Sequence, residues 1–333
     1  MRLLKRHDIS AKLNMTEQLS TPDDVSSLLE RSLRYKVVSV RHLQEMQDYM
    51  DRLRENGLFS TNTVFRSYVD DKSFRLPADF QDARYLVAVA VYNPLAKVNL
   101  PYEGHVYSVM IPPNYRIADY TADELRAAIV RKAIGRDGNR FESAGRNAYR
   151  KHLAARSGLA KYGRNNICHV KGWGSMISLY AFYTDYEFSH DDWTDVQMMD
   201  SCKRCKLCFN QCPTGAISTE RFVINVDRCL PLYNEVEGEI PEWVPKNAHN
   251  ALVGCMRCQL KCPANRDAIA RAVQLDDLSE KETVAVINGV ADDDAKIALC
   301  DKLRVCTAES FSDNLPVFSR NLRAFIAAQT HRT

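Results

Sequence analysis

Apolar and polar positions follow two different periods along the first half of the chain. "RYKVVSV" (34–40) and "ARYLVAVAVY" (83–92) are β-branched, apolar runs of strand length, and "HVYSVMIP" (105–112) alternates with period two. All three predict strands. Between the first two, "VRHLQEMQDYMDRLRENG" carries apolar residues at helical spacing and stops at Gly57. "TADELRAAIVRKAIG" (121–135) places Thr121 three residues before Glu124. That is the spacing of a capping box, in which each side chain takes up an amide the first turn leaves unpaired. "AYRKHLAARSG" (148–158) predicts a further helix ended by Gly158, and "SMISLYAFYTD" (175–185) a further strand. Strands alternating with helices argue a layered α/β domain over residues 1–195.

The pattern changes beyond residue 195. Residues 196–268 are rich in cysteine and turn residues, and within them "AISTERFVINVDRC" predicts a short hairpin with "STER" as its turn. Helical spacing returns in "SEKETVAVINGV", "DDAKIALCDKLRV" and "LPVFSRNLRAFIAAQ". The expected organisation is therefore an α/β domain (1–195), a small cysteine-bearing α+β domain (196–268) and a helical segment (269–333) that packs back on the first domain.

Composition narrows the setting. A chain of 333 residues with 45% hydrophobic and 26% charged residues is that of a globular protein with a sizeable core. A net charge of +3 singles out no class of partner. No run approaches the eighteen or so apolar residues of a membrane helix, so no membrane is expected as a partner. "MRLLKRHDISAKLNMTEQ" has neither an apolar h-region nor a twin-arginine pair, so a cytoplasmic location is expected. In a reducing cytosol eleven cysteines argue for metal binding or redox chemistry rather than disulfides.

The cysteine spacing says which. Cys202-x2-Cys205-x2-Cys208-x3-Cys212-Pro213 is the ferredoxin arrangement for a [4Fe–4S] cluster: three thiolates on a tight loop reach three irons, and the fourth ligates a neighbouring cluster. "CMRCQLKCP" supplies Cys255, Cys258 and Cys262 for the exchange, and Cys229 in "VDRCLPLYNE" completes eight ligands. The expected sets are Cys202, Cys205, Cys208 and Cys262 for one cluster, and Cys212, Cys229, Cys255 and Cys258 for the other. The alternative, two structural zinc sites, normally uses two separated C-x2-C knuckles, which this spacing fits poorly. Cys168, Cys300 and Cys306 stand alone and read as small buried hydrophobes.

One stretch is electrically lopsided. From Ser143 to Thr184 there is no acidic residue, while Arg146, Arg150, Lys151, Arg156, Lys161, Arg164 and Lys171 are basic. Either a solvated helix face or a surface for phosphate-bearing ligands accounts for this. The glycines of "SGLAKYGRNN" and "GWGS" favour a binding loop, because glycine permits close backbone approach.

The block order "HLAARSGLAKYGRNNI", "GWGSMISLYAFYTD", "CPTGAI", "DRCLPLYNE", "GCMRCQLKCP" and "FSRNLRAFI" resembles the epoxyqueuosine reductase family, which is related to the reductive dehalogenases. The likeness runs from about residue 25 to 328. It implies a nitroreductase-like α/β domain that binds cobalamin, joined to a ferredoxin-like domain with two [4Fe–4S] clusters. Electrons would arrive from an external donor such as ferredoxin or flavodoxin, and the corrin cobalt would reduce a substrate, either a small molecule or tRNA. The family's "GLGWIGKN" loop corresponds to Gly158–Asn165, so the resemblance assigns Gly158, Leu159, Gly163, Arg164 and Asn165, with Gly174, to the cofactor. Ala160 and Lys161 depart from the usual glycine and tryptophan.

The acid positions depart further. The family's "VD-x-x-P" aspartate, the expected proton donor, falls on Ala144 and its proline on Asn147; Glu142 is the nearest carboxylate. The family's "DYH" survives as Asp119-Tyr120 with Thr121 in place of histidine. Glu142, Tyr115 and Tyr120 are the candidate proton donors, each with a bland alternative as surface carboxylate or packing ring. Altered acids beside intact redox cysteines suggest a divergent paralogue with a changed substrate. Two other readings stay open: an electron-transfer or activation protein without tightly bound cobalamin, and epoxyqueuosine reduction on tRNA itself.

Overall fold

The computed structural model describes residues 29 and 31–330, without 146, 147 and 221. The reading of the N-terminus, and the positions of Arg146 and Asn147, fall outside the described residues. The strands, in chain order, are β1 (Leu33–Ser39), β2 (Tyr85–Tyr92), β3 (Ala96–Tyr102), β4 (His105–Ile111), β5 (Phe141–Ser143), β6 (Lys161–Tyr162), β7 (Cys168–His169), β8 (Ile177–Thr184) and β9 (Val273–Gln274). Among the described residues no helix is long and apolar enough to cross a membrane.

The chain forms two compact units, each drawn from separate stretches. One takes the described chain up to Tyr92 together with Asp119–Cys205; the other takes Asn93–Ala118 and the chain from Lys206 onward. This division differs from boundaries drawn at 195 and 268.

The first unit is built on a four-stranded sheet in the order β1-β2-β8-β5. Its pairings are all antiparallel, although helices separate the strands in sequence. Central β2 is buried from Tyr85 to Val91, which explains why "YLVAVAV" shows no polar alternation: both faces are covered. Val87, Val89 and Val91 meet Leu125, Ala128 and Ile129 of the helix Ala122–Ala133. Each valine, leucine and isoleucine among them contributes about 1.5–3 kcal/mol on burial. That helix opens with the capping box of Thr121 and Glu124, so the threonine in the family's histidine position is engaged as a helix cap. β6 and β7 form a separate two-stranded ladder.

In the second unit β3 pairs with β4 antiparallel and with β9 parallel. β3 escapes a sequence reading because Pro101 and polar residues dilute its pattern, yet Ala96, Val98 and Leu100 all point into the core. The helices Glu280–Asn288, Asp293–Leu303 and Ala308–Thr330 cover these strands.

Two expectations are corrected. The hairpin expected in "AISTERFVINVDRC" is not a strand ladder; Asn225 N–H donates to the Ala216 carbonyl at 2.8 Å and no strand is assigned among the described residues there. The last helix begins at Ala308, not at Leu315, and carries Pro316 in its interior. Phe311, Leu315, Phe318, Leu322 and Phe325 are buried along one stripe, and that packing outweighs the ~3 kcal/mol a helical proline costs.

Candidate metal centre

The cysteines sit on turns too short to hold themselves. A 3-10 turn, Asp200–Cys202, carries Cys202, and the five-residue helix Leu207–Gln211 carries Cys208. The chain leaves through Cys212 and Pro213. Cys229 follows the turn Val226–Arg228, and Cys255 and Cys258 flank the start of the helix Arg257–Leu260.

Donors converge on the thiols of the second set. Ala216 N–H donates to Cys212 Sγ at 3.3 Å, and the Thr214 hydroxyl lies 3.5 Å from the same sulfur. Asn250 Nδ2 donates to Cys255 Sγ at 3.2 Å. Burial raises the Cys255 pKa, and the Asn250 hydrogen bond works against that rise. Amide donors aimed at sulfur suit thiolates that carry cluster charge. The donor set therefore fits an iron–sulfur cluster. Among the described residues no three His, Cys, Asp or Glu side chains are arranged for a single ion.

A buried polar network fixes these segments. Asn234 Nδ2 donates to the Gly254 carbonyl at 2.7 Å, and Gly254 N–H returns a bond to Asn234 Oδ1 at 3.1 Å. Asn321 Nδ2 donates to the carbonyls of Asn234 (2.8 Å) and Leu252 (3.0 Å). Arg320 donates to the carbonyls of Tyr233, Val236 and Gly238. Arg228 Nε donates to the Thr214 carbonyl at 2.7 Å, tying the Cys212 loop to the turn before Cys229. These residues were not singled out from sequence. The block "FSRNLRAFI" held the signal, but nothing in its pattern says which carbonyls it meets. Gly254 has φ +73°, and a Cβ there would lie 2.4 Å from the Tyr115 ring. Only glycine fits beside Cys255.

The glycine loop belongs to the sheet unit. Gly158 (φ +68°) ends the helix Arg150–Arg156, and Leu159 is buried. Asn165 Oδ1 accepts from Ile167 N–H at 3.3 Å. A Cβ at Gly163 would lie 2.5 Å from Asn165 Oδ1 and 2.9 Å from His169 Nε2. Gly174 (φ +57°) closes a turn through its exchange of bonds with Val170. Arg164 turns to the cysteine loop: Nη2 donates to the Cys202 carbonyl at 2.6 Å and Nε to the Cys205 carbonyl at 3.1 Å. The side chains of Arg164 and Asn165 are thus engaged within the protein. His169, also missed from sequence, is buried with neither ring nitrogen hydrogen-bonded, and burial lowers its pKa to about 4.

Two of the candidate proton donors, Glu142 and Tyr120, lie on opposite faces of the sheet. Glu142 takes a 2.6 Å ion pair from Arg140 with its side chain 41% exposed. It pairs across the sheet with Tyr183. Tyr120 Oη lies 3.0 Å from Tyr180 Oη. Tyr180 and Tyr183 point to opposite faces of β8, so Tyr120 and Glu142 do too. Ala144 N–H donates to the Ala181 carbonyl at 2.8 Å, and Ala144 brings no acid to the sheet edge. Tyr115, in the other unit, donates its hydroxyl to the buried Glu235. The basic stretch is largely committed as well. Arg156 stacks on Trp193 at 3.7 Å and pairs with Glu45 and Asp195, Arg150 donates to the Leu179 carbonyl, and Lys161 lies 3.9 Å from Asp200.

Comparison with known proteins agrees with this geometry. The 4Fe-4S double cluster binding domain family matches residues 201–265. The epoxyqueuosine reductase of Aliivibrio fischeri is 31% identical over 182 residues, 47% of this chain and 48% of the relative. That of Escherichia coli K12 is 34% identical over 115 residues, 34% of this chain and 29% of the relative. The match to the first of these thus spans about half of that relative's length. Among solved structures, the epoxyqueuosine reductase of Streptococcus thermophilus superposes with a TM-score of 0.62 at 15% identity, covering 92% of this chain and 80% of that one. An epoxyqueuosine reductase bound to a modified tRNA-Tyr stem loop gives 0.57 at 16% identity, with the same coverage. The chain has the mixed α/β fold of these proteins, with a double-cluster ferredoxin-type region.

Proposed function

We propose that this epoxyqueuosine reductase-like chain is an iron–sulfur oxidoreductase that takes single electrons from an external ferredoxin- or flavodoxin-type carrier and passes them to a corrinoid, which reduces a substrate not yet identified. The observation that carries the reading is the set of eight cysteines with amide donors already turned on two of their sulfurs. Cys202, Cys205, Cys208 and Cys262 would hold one [4Fe–4S] cluster, and Cys212, Cys229, Cys255 and Cys258 the other. When bound, clusters of this kind exchange one electron each, and a corrinoid supplies a metal-centred reductant. The backbone of Gly158–Asn165 and Gly174 would carry the corrinoid. Of the three candidate donors Tyr115 is favoured for the proton: its hydroxyl is held in place by the buried Glu235 carboxylate, to which it donates. Glu142 is held in an exposed ion pair, and Tyr120 is tied to Tyr180.

Metal and corrinoid analysis of protein purified without oxygen tests this. About eight iron per chain, with bound corrinoid, is the expected result, and Cys229→Ser is expected to lower iron toward about four. Zinc in place of iron would end the reading. A second reading, an electron-transfer protein without tightly bound corrinoid, is favoured by one observation: Lys161 and Arg164 of the loop are turned to residues 200–205. It expects about eight iron and no cobalt. Action on tRNA has less support, because the basic stretch is largely paired internally; restoration of queuosine in an epoxyqueuosine-accumulating strain would establish it.

A further inference from the structure

The glycine loop and the first cysteine loop are built as one piece. Tyr162 N–H donates to the Gln197 carbonyl at 2.9 Å, and Met199 N–H donates to the Tyr162 carbonyl at 2.8 Å. Lys161 reaches Asp200 at 3.9 Å. Arg164 then spans the turn, bonding the carbonyls of Cys202 and Cys205 through two different nitrogens. Both acceptors belong to residues whose thiols are expected ligands of one cluster. The guanidinium is part-buried in these contacts and has a planar fork suited to two acceptors at once.

From this geometry we infer that Arg164 sets the reduction potential of the cluster held by Cys202, Cys205 and Cys208, by clasping two ligand carbonyls and fixing a positive charge beside the thiolates. The inference rests on the two-cluster reading. Reduction adds one electron, and so one negative charge, to the cluster; a fixed cation beside it favours the reduced form and raises the potential. In the other set, Cys212 and Cys255 have amide donors on their sulfurs. A lysine can keep the charge at this position but cannot bridge both carbonyls as the fork does.

An EPR-monitored redox titration of the anaerobically purified protein, with Arg164→Gln, Arg164→Lys and Cys229→Ser, tests the inference. Cys229→Ser identifies the midpoint of the second cluster by perturbing it. Arg164→Gln is expected to lower the other midpoint, reducing the reduced-to-oxidised ratio at fixed poise about tenfold (~59 mV for one electron). Arg164→Lys is expected to retain most of the wild-type value. If Arg164→Gln sheds iron, a loss of about four that Arg164→Lys restores also supports a fixed positive charge at this centre. Wild-type midpoints in Arg164→Gln with about eight iron would overturn the inference while leaving the two-cluster reading intact. So would a shift in the midpoint that Cys229→Ser perturbs, equal shifts in the Gln and Lys variants, or iron lost equally from both centres. Iron absent from the wild-type protein would instead sink the two-cluster reading itself.

Discussion

His152 is buried on the helix Arg150–Arg156, its ring stacked on Tyr49 with centroids 4.5 Å apart and its Nε2 without a partner. Burial, with the Arg156 charge second, lowers its pKa to about 4. The native state therefore holds a neutral imidazole, while the unfolded chain protonates it near 6.5. Below that pH the unfolded state binds more protons, so this contribution to stability is complete above about pH 6.5 and is lost as pH falls toward 4. At pH 5 the loss is about 2 kcal/mol from this one residue, and His169, lowered to about 4 by burial alone, adds to it. His152→Phe keeps the ring stack and removes the titration. Its melting temperature should fall less between pH 7 and pH 5 than that of the wild type; an equal fall would show that His152 is not the sensitive group. A lone histidine in "YRKHLAARSG" gives no sign of this, because burial is set by residues far away in the chain. The cysteines are legible for the opposite reason, since their spacing is itself the geometry of the ligand set.

Elements with a strong period were readable, and those held by other parts of the chain were not. The capping box at Thr121 lies within the helix it starts, so sequence shows it; the helix Ala308–Thr330 was truncated in the reading at a proline that only its buried stripe makes tolerable. The hairpin expected at 216–229 fails because the segment is organised by Arg228 and the Cys212 loop instead of by a ladder. The long helix has a second task beyond its core stripe: Asn321 satisfies carbonyls next to Glu235 and in the approach to Cys255. Asn321→Ala leaves two buried carbonyls without that donor and should cost about 1–3 kcal/mol. It should also lower iron retention, by loosening the segments that carry Cys229 and Cys255. Arg323→Ala, at an exposed position of the same helix, is the control and should change neither. Equal iron in both variants would separate the helix from the metal centre.

At the scale of the molecule, the two kinds of core differ in what sustains them. The sheet unit has β2, buried from Tyr85 to Val91, and a cluster of aliphatic and aromatic residues against the helix Ala122–Ala133, and β3 and β4 have a larger one under the C-terminal helices. The cysteine region has short turns and helices of three to five residues, and between its motifs a small cluster of Leu230, Val244 and Ala248. Leu252 and Val253 reach the large core, but ordering each residue of these turns costs about 1–2 kcal/mol, and metal-ligand bonds add to what holds them. Hydrogen exchange on the whole chain, before and after iron is removed by an oxidant and chelator, tests this. Amides of residues 206–265 should lose most of their protection, while those of β1, β2, β8 and the β3–β4 pair should keep theirs. Uniform loss along the chain, or unchanged protection at 206–265, would mean that the cysteine region is folded by contacts other than its metal.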